Sequence, residues 1–78
     1  MTNNNRKKYT FESELIKLVI KEDRAGYYLF IFKDLSSPIP TEDYLYSALD
    51  EVFEMARREY GVAKDQWVES TFEVILRD

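Results

Sequence analysis

Seventy-eight residues are enough for one domain. With no cysteine and no histidine, the chain forms no disulfides, does no thiolate chemistry, and lacks both the usual general base and the commonest metal ligand. The net charge of −4 is unevenly spread: residues 1–24 carry six Lys/Arg against four Asp/Glu, whereas residues 25–78 carry five against eleven. The acidic part argues against a broad nucleic-acid footprint, which needs clustered Lys and Arg.

Residues 1–8 are polar and without periodicity, which predicts a disordered N-terminal tail ahead of a single domain over 9–78. Arg6-Lys7-Lys8 could touch phosphate, but a solubilising tail is the favoured reading. The start has no apolar segment behind its charges, and no run reaches the roughly 18–20 residues of a membrane span. The expected location is the cytoplasm. In the 9–21 stretch, Ile16, Leu18 and Ile20 alternate with Leu15, Lys17, Val19 and Lys21, and the β-branched content predicts a strand over 14–21. A helix from Phe11 to Lys21 is the competing reading.

Glu22-Asp23-Arg24-Ala25-Gly26 separates two apolar runs and predicts a hairpin, with Gly26 closing the loop. The second strand, 27–33, holds Tyr27-Tyr28-Leu29-Phe30-Ile31-Phe32, six residues with four aromatics and no charge. Tyr27, Leu29 and Ile31 share one face, and Tyr28, Phe30 and Phe32 the other. A strand with one face in water would alternate apolar with polar, so both faces call for cover.

Two prolines make 34–40 a loop. A short strand is expected near 43–46, and a helix over 48–60 with Ser47 as N-cap and Asp50 as its capping-box partner. Leu49, Val52, Phe53, Ala56 and Tyr60 fall on one helical face. Glu54 and Arg58 stand at i, i+4 spacing, and Gly61 suits the residue that ends the helix. Val62 and Trp67 are expected to pack back on the helix end. Phe72, Val74 and Leu76 alternate with Thr71, Glu73 and Ile75, which predicts a C-terminal strand over 71–76.

These elements define an α+β fold: a small antiparallel sheet, built from the hairpin 14–21/27–33 with strands near 43–46 and 71–76, packed on one amphipathic helix. From about Leu15 to Trp67 the chain resembles small uncharacterised bacterial proteins. The likeness lies in an apolar strand, the aromatic strand Gly26-Tyr-Tyr-Leu-Phe, and an acidic helix ending in Glu59-Tyr60-Gly61-Val62 with Trp67 beyond it. It implies a ββ(β)α arrangement of unknown function and no activity.

No nucleophile–base set and no glycine-rich phosphate loop is present, so neither catalytic residues nor a cofactor is expected. Glu42, Asp43, Asp50, Glu51 and Glu54 surround the helix start, and carboxylates alone can hold a hard cation. A carboxylate-dependent metal-binding protein or enzyme is therefore the alternative reading, against acids that simply favour a helix N-terminus. Base stacking on the aromatic strand is disfavoured, since only Lys33 flanks it in sequence.

One helix covers one face of a sheet, so the other aromatic face is left for association. The expectation is a non-enzymatic protein-binding, adaptor or inhibitor-type module, self-associating as a homodimer through Tyr27, Tyr28, Leu29, Phe30, Ile31, Phe32, Tyr44 and Tyr46.

Overall fold

A computed structural model describes residues 2–76, and side-chain surroundings for residues 5–74. Five strands, β1 (Thr2–Glu12), β2 (Lys17–Asp23), β3 (Gly26–Phe32), β4 (Glu42–Tyr46) and β5 (Val68–Leu76), form one antiparallel sheet in the order β4-β3-β2-β1-β5. Helix α1 (Leu49–Tyr60) lies across one face. The α+β class matches the sequence reading, and a single sheet runs through the described chain.

The expected tail is instead the first strand. Residues 2–12 pair with β5 along nearly their whole length, from Thr2↔Leu76 to Thr10↔Val68. Met1 lies outside the described residues. The strand expected over 14–21 also divides differently. Ser13 breaks the run: its amide donates to the Ile16 carbonyl at 2.9 Å, and its Oγ accepts from the amides of Leu15 and Ile16. A serine hydroxyl that offers the backbone local partners favours a turn over continued extension. Thr10, Phe11 and Glu12 therefore belong to β1, and β2 begins only at Lys17.

The β2–β3 hairpin turns at Arg24-Ala25, with Asp23 Oδ2 accepting from the Ala25 amide at 3.0 Å. Gly26 follows at φ +141°, and any Cβ there would collide with the carbonyl oxygen of Tyr46. Glycine thus answers both a conformation that L side chains rarely adopt and the close approach of β4.

The helix is capped by Ala48, without a side-chain cap bond, and not by Ser47. Ser47 Oγ donates to Glu51 Oε1 at 2.8 Å, and no reciprocal box with Asp50 forms. Glu54 likewise pairs with Arg57, one residue nearer than Arg58, at 2.6 Å. Gly61 ends the helix in the left-handed region at φ +69°, its amide donating to the Arg57 carbonyl. A single 3₁₀ turn at Lys64–Gln66 leads into β5, which begins at Val68, three residues before its expected start.

The core lies between sheet and helix. Leu18, Ile20, Leu29, Ile31, Val52, Ala56 and Val62 are essentially inaccessible to solvent, with Tyr9 and Trp67 completing the layer. Burying a large aliphatic side chain of this kind contributes about 1.5–3 kcal/mol. Phe53 bridges α1 to the sheet, edge-on to Tyr9 at 5.5 Å and tilted against Trp67 at 5.7 Å. Val62 and Trp67 both join the core, but Trp67 meets the helix at Phe53, in its first half, and not at its end as expected. Among the described residues, no helix is long and apolar enough to cross a membrane.

Candidate binding surface

The strand register settles which face of β3 lies under the helix. Leu29 and Ile31 are fully buried beside Ile20 and Leu18, and Tyr27 packs against the same core. Tyr44 and Tyr46 stand opposite Leu29 and Tyr27, and so belong to that side. Of the eight residues expected to form one association surface, five are therefore on the helix side. Leu29 and Ile31 are core, Tyr27 and Tyr46 flank it, and Tyr44 is a partly exposed edge tyrosine donating to Glu42. The sequence could not separate the sets, because a uniformly apolar strand has the same pattern on both sides. Tyr28, Phe30 and Phe32 remain on the face that carries no helix.

Around these three rings, neighbouring strands place side chains that are far apart in the chain. Antiparallel partners point to the same side of a sheet. Lys17 stands opposite Phe32, with Glu12 beyond it on β1. Val19 stands opposite Phe30, with Thr10 beyond it on β1. Lys21 stands opposite Tyr28, with Lys8 beyond it. Leu45 and Asp43 continue these rows on β4, and Val68, Ser70 and Phe72 on β5. The open face is therefore a field of half-buried rings crossed by a line of lysines.

Tyr28 and Phe30 lie nearly parallel, with centroids 6.0 Å apart and planes inclined by 22°. The Lys17 ammonium lies 5.7 Å from the Phe32 centroid, and that of Lys21 lies 5.3 Å from Phe72. A cation over a ring face is held by the ring quadrupole yet keeps most of its hydration, so it remains available to an anion. Lys8, Lys17 and Lys21 form no ion pair among the described residues, whereas Arg6 is tied to Asp23 at 3.2 Å. Lys8, Lys17, Lys21, Val19, Phe30 and Phe32 line a shallow cleft of about 300 Å³, closed on one side by Pro38 and Pro40. The loop 34–40 thus forms one wall of this cleft.

The basic residues that sequence reasoning did not find beside the aromatic strand come from β1 and β2. Lys33, the expected neighbour, turns instead to Glu42. The alternation of Lys17, Val19 and Lys21 was visible in the sequence. Their position against Phe32, Phe30 and Tyr28 depends on the hairpin turning at Arg24-Ala25, which spacing alone left open. The placement of Arg6 and Lys8 depends on β1 being a strand at all.

A second cleft, of about 320 Å³, lies on the helix side between Tyr9, Leu49, Phe53, Lys64, Trp67 and Glu69. Its lining is largely committed to the fold. Tyr9 and Trp67 are core, and the Lys64 ammonium sits 5.7 Å from the Phe53 ring. Burial first, then hydrogen bonding to Glu69, pushes the Tyr9 phenol from 10.0 to about 12. Trp67 Nε1 is buried without a protein acceptor.

The acids expected near the helix start are dispersed and engaged. Glu42 accepts from Lys33 and Tyr44, which hold its carboxyl below the usual range. Glu51 accepts from Ser47. Glu54 is drawn down by the Arg57 guanidinium. Asp43 points to the open face, opposite Phe30. Among the described residues, no group of three or more such ligands is placed to hold a metal ion. No protein-family model, no curated protein and no solved structure matches the chain.

Proposed function

We propose that the protein is a non-enzymatic binding module that works through the open face of its sheet. The observation that carries this reading is the ring set Tyr28, Phe30 and Phe32 on a face without a helix, beside three lysines that pair with no acid among the described residues. Rings with an apolar body and lysines on flexible stems suit recognition, since they offer contact area and charge, and the lysines are held only by ring faces. The absence of histidine and cysteine, and the engagement of the helix-start acids by their neighbours, support binding over chemistry. A cytoplasmic setting belongs to the same reading and fits a chain without cysteine.

The partner in this reading is a different molecule. The three lysines outnumber Glu12 and Asp43, the acids of that face that are not tied to Arg6, so two copies pairing open face to open face would concentrate like charge, which is costly. Affinity capture from host extract with three baits tests the working face: the native chain, Phe30→Asp and Glu54→Lys. Partners held by the native chain and by Glu54→Lys, and lost with a Phe30→Asp chain of unchanged helicity, are the expected result. Capture that is indifferent to Phe30→Asp would place the working surface elsewhere.

A further inference from the structure

The open face offers two groups in alternation, flat apolar rings and cationic side chains. We infer that its ligand is single-stranded nucleic acid, whose bases lie on the rings of β3 while its phosphates follow the line of Lys8, Lys17 and Lys21. This rests on the open face being the working surface.

Three observations carry it. First, the cations are drawn out along the sheet and not gathered at one point. Lys17 and Lys21 are four residues apart on β2, about 13 Å at roughly 3.3 Å per residue. Their side chains diverge, one toward Phe32 on β3 and the other toward Phe72 on β5. A single phosphate would call for convergence, whereas a line suits an extended polyanion. Second, the rings of β3 sit beside that line and not beneath a helix, and Tyr28 and Phe30 are already nearly coplanar in orientation. Stacking on aromatic side chains is how single strands are held with little regard to sequence. Third, the acids of the helix, Asp50, Glu51, Glu54 and Glu59, lie on the other side of the sheet from the lysines. The open face itself carries Glu12, opposite Lys17, and Asp43, opposite Phe30, while Asp23 is taken up by Arg6. Lys8, Lys17 and Lys21 therefore leave that face a small positive excess in an overall acidic chain.

An acidic protein segment would satisfy the lysines but has no flat group to repeat against the rings. A duplex keeps its bases stacked within itself and cannot use them.

Fluorescence anisotropy on the full chain tests this with labelled single strands of about twelve nucleotides, RNA and DNA, a length within the site sizes common among single-strand-binding domains. The matching duplex and a poly-glutamate peptide of similar charge are the comparisons. Single strands are expected to bind in preference to both. Contact with three phosphates predicts a weakening of about twentyfold between about 50 and about 200 mM salt, from a slope of about −0.7 per phosphate. Lys17→Gln and Lys21→Gln should each lower that slope by about 0.7. Phe30→Leu, which keeps an apolar residue, should weaken binding at least about fivefold through lost stacking.

Poly-glutamate binding as tightly as the single strands, with Phe30→Leu neutral, would overturn the nucleic-acid inference and leave a docking face for acidic proteins. Absence of binding to any strand, while Phe30→Asp still abolishes capture from host extract, would overturn it equally without touching the working face. Strand binding that the lysine and Phe30 variants leave unchanged would also refute it, since the strand would then lie elsewhere.

Discussion

Alanine at position 26 would drive its Cβ into the Tyr46 carbonyl oxygen while holding φ at +141°, so neither the strand pairing nor the turn could relax alone. Gly26→Ala is expected to cost about 2 kcal/mol or more, read as a lower urea midpoint. At Gly61 a Cβ meets open space, and only the left-handed backbone opposes it. Gly61→Ala should therefore cost only about 1 kcal/mol.

Tyr9 gives the fold an alkaline limit. Its phenol ionises near 10 in an unfolded chain and near 12 in the folded one. The protonated form is favoured by folding, so this contribution is whole below pH 10 and is lost as the pH rises to 12. Tyr46, raised by burial, and Tyr44, raised by its bond to Glu42, act in the same direction. Urea midpoints should fall through this window, and Tyr9→Phe should flatten the fall.

At the scale of elements, β3 divides its residues between two tasks, and adjacent substitutions should separate them. Ile31→Asp places a carboxylate in a fully buried site and is expected to unfold the protein. Phe30→Asp changes the opposite face and should leave the helical circular dichroism in place. Loss of structure in both would contradict the separation of faces. The helix offers a gain: Ala48 sits at the N-cap in extended conformation with no side-chain acceptor for the first amides. Ala48→Ser should stabilise by about 1 kcal/mol, as a rise in thermal midpoint.

Elements with strong local patterning were legible in the sequence. The face of α1, its end at Gly61 and the apolar run of β3 all appear where their residues predict. What was not legible is non-local. The segment before Tyr9 is too polar to declare itself a strand, and its pairing with β5 supplies the order that its composition does not. The lysine line was hidden for a similar reason, because strand register across two hairpins is a property of the turns.

For the molecule as a whole, a lysine-bearing sheet face opposite an acidic helix makes association orientation-dependent. Light scattering in low salt should report a monomer mass even at high concentration, because face-to-face pairing opposes like charges. A dimer that Phe30→Asp dissociates would show instead that the face recognises its own copy.

The sheet order has a consequence for synthesis. Each strand pairs with its neighbour in sequence except β5, which crosses over to the outer edge of β1. Residues 2–7 have no other strand beside them, since β2 reaches only to Lys8↔Lys21. At about 5–20 residues per second, a ribosome leaves that edge bare for several seconds after the three local hairpins can close. A nascent or truncated chain ending before Val68 would thus present a ready strand template. Such chains should be recovered with chaperones or in aggregates, while the chain that includes β5 escapes both.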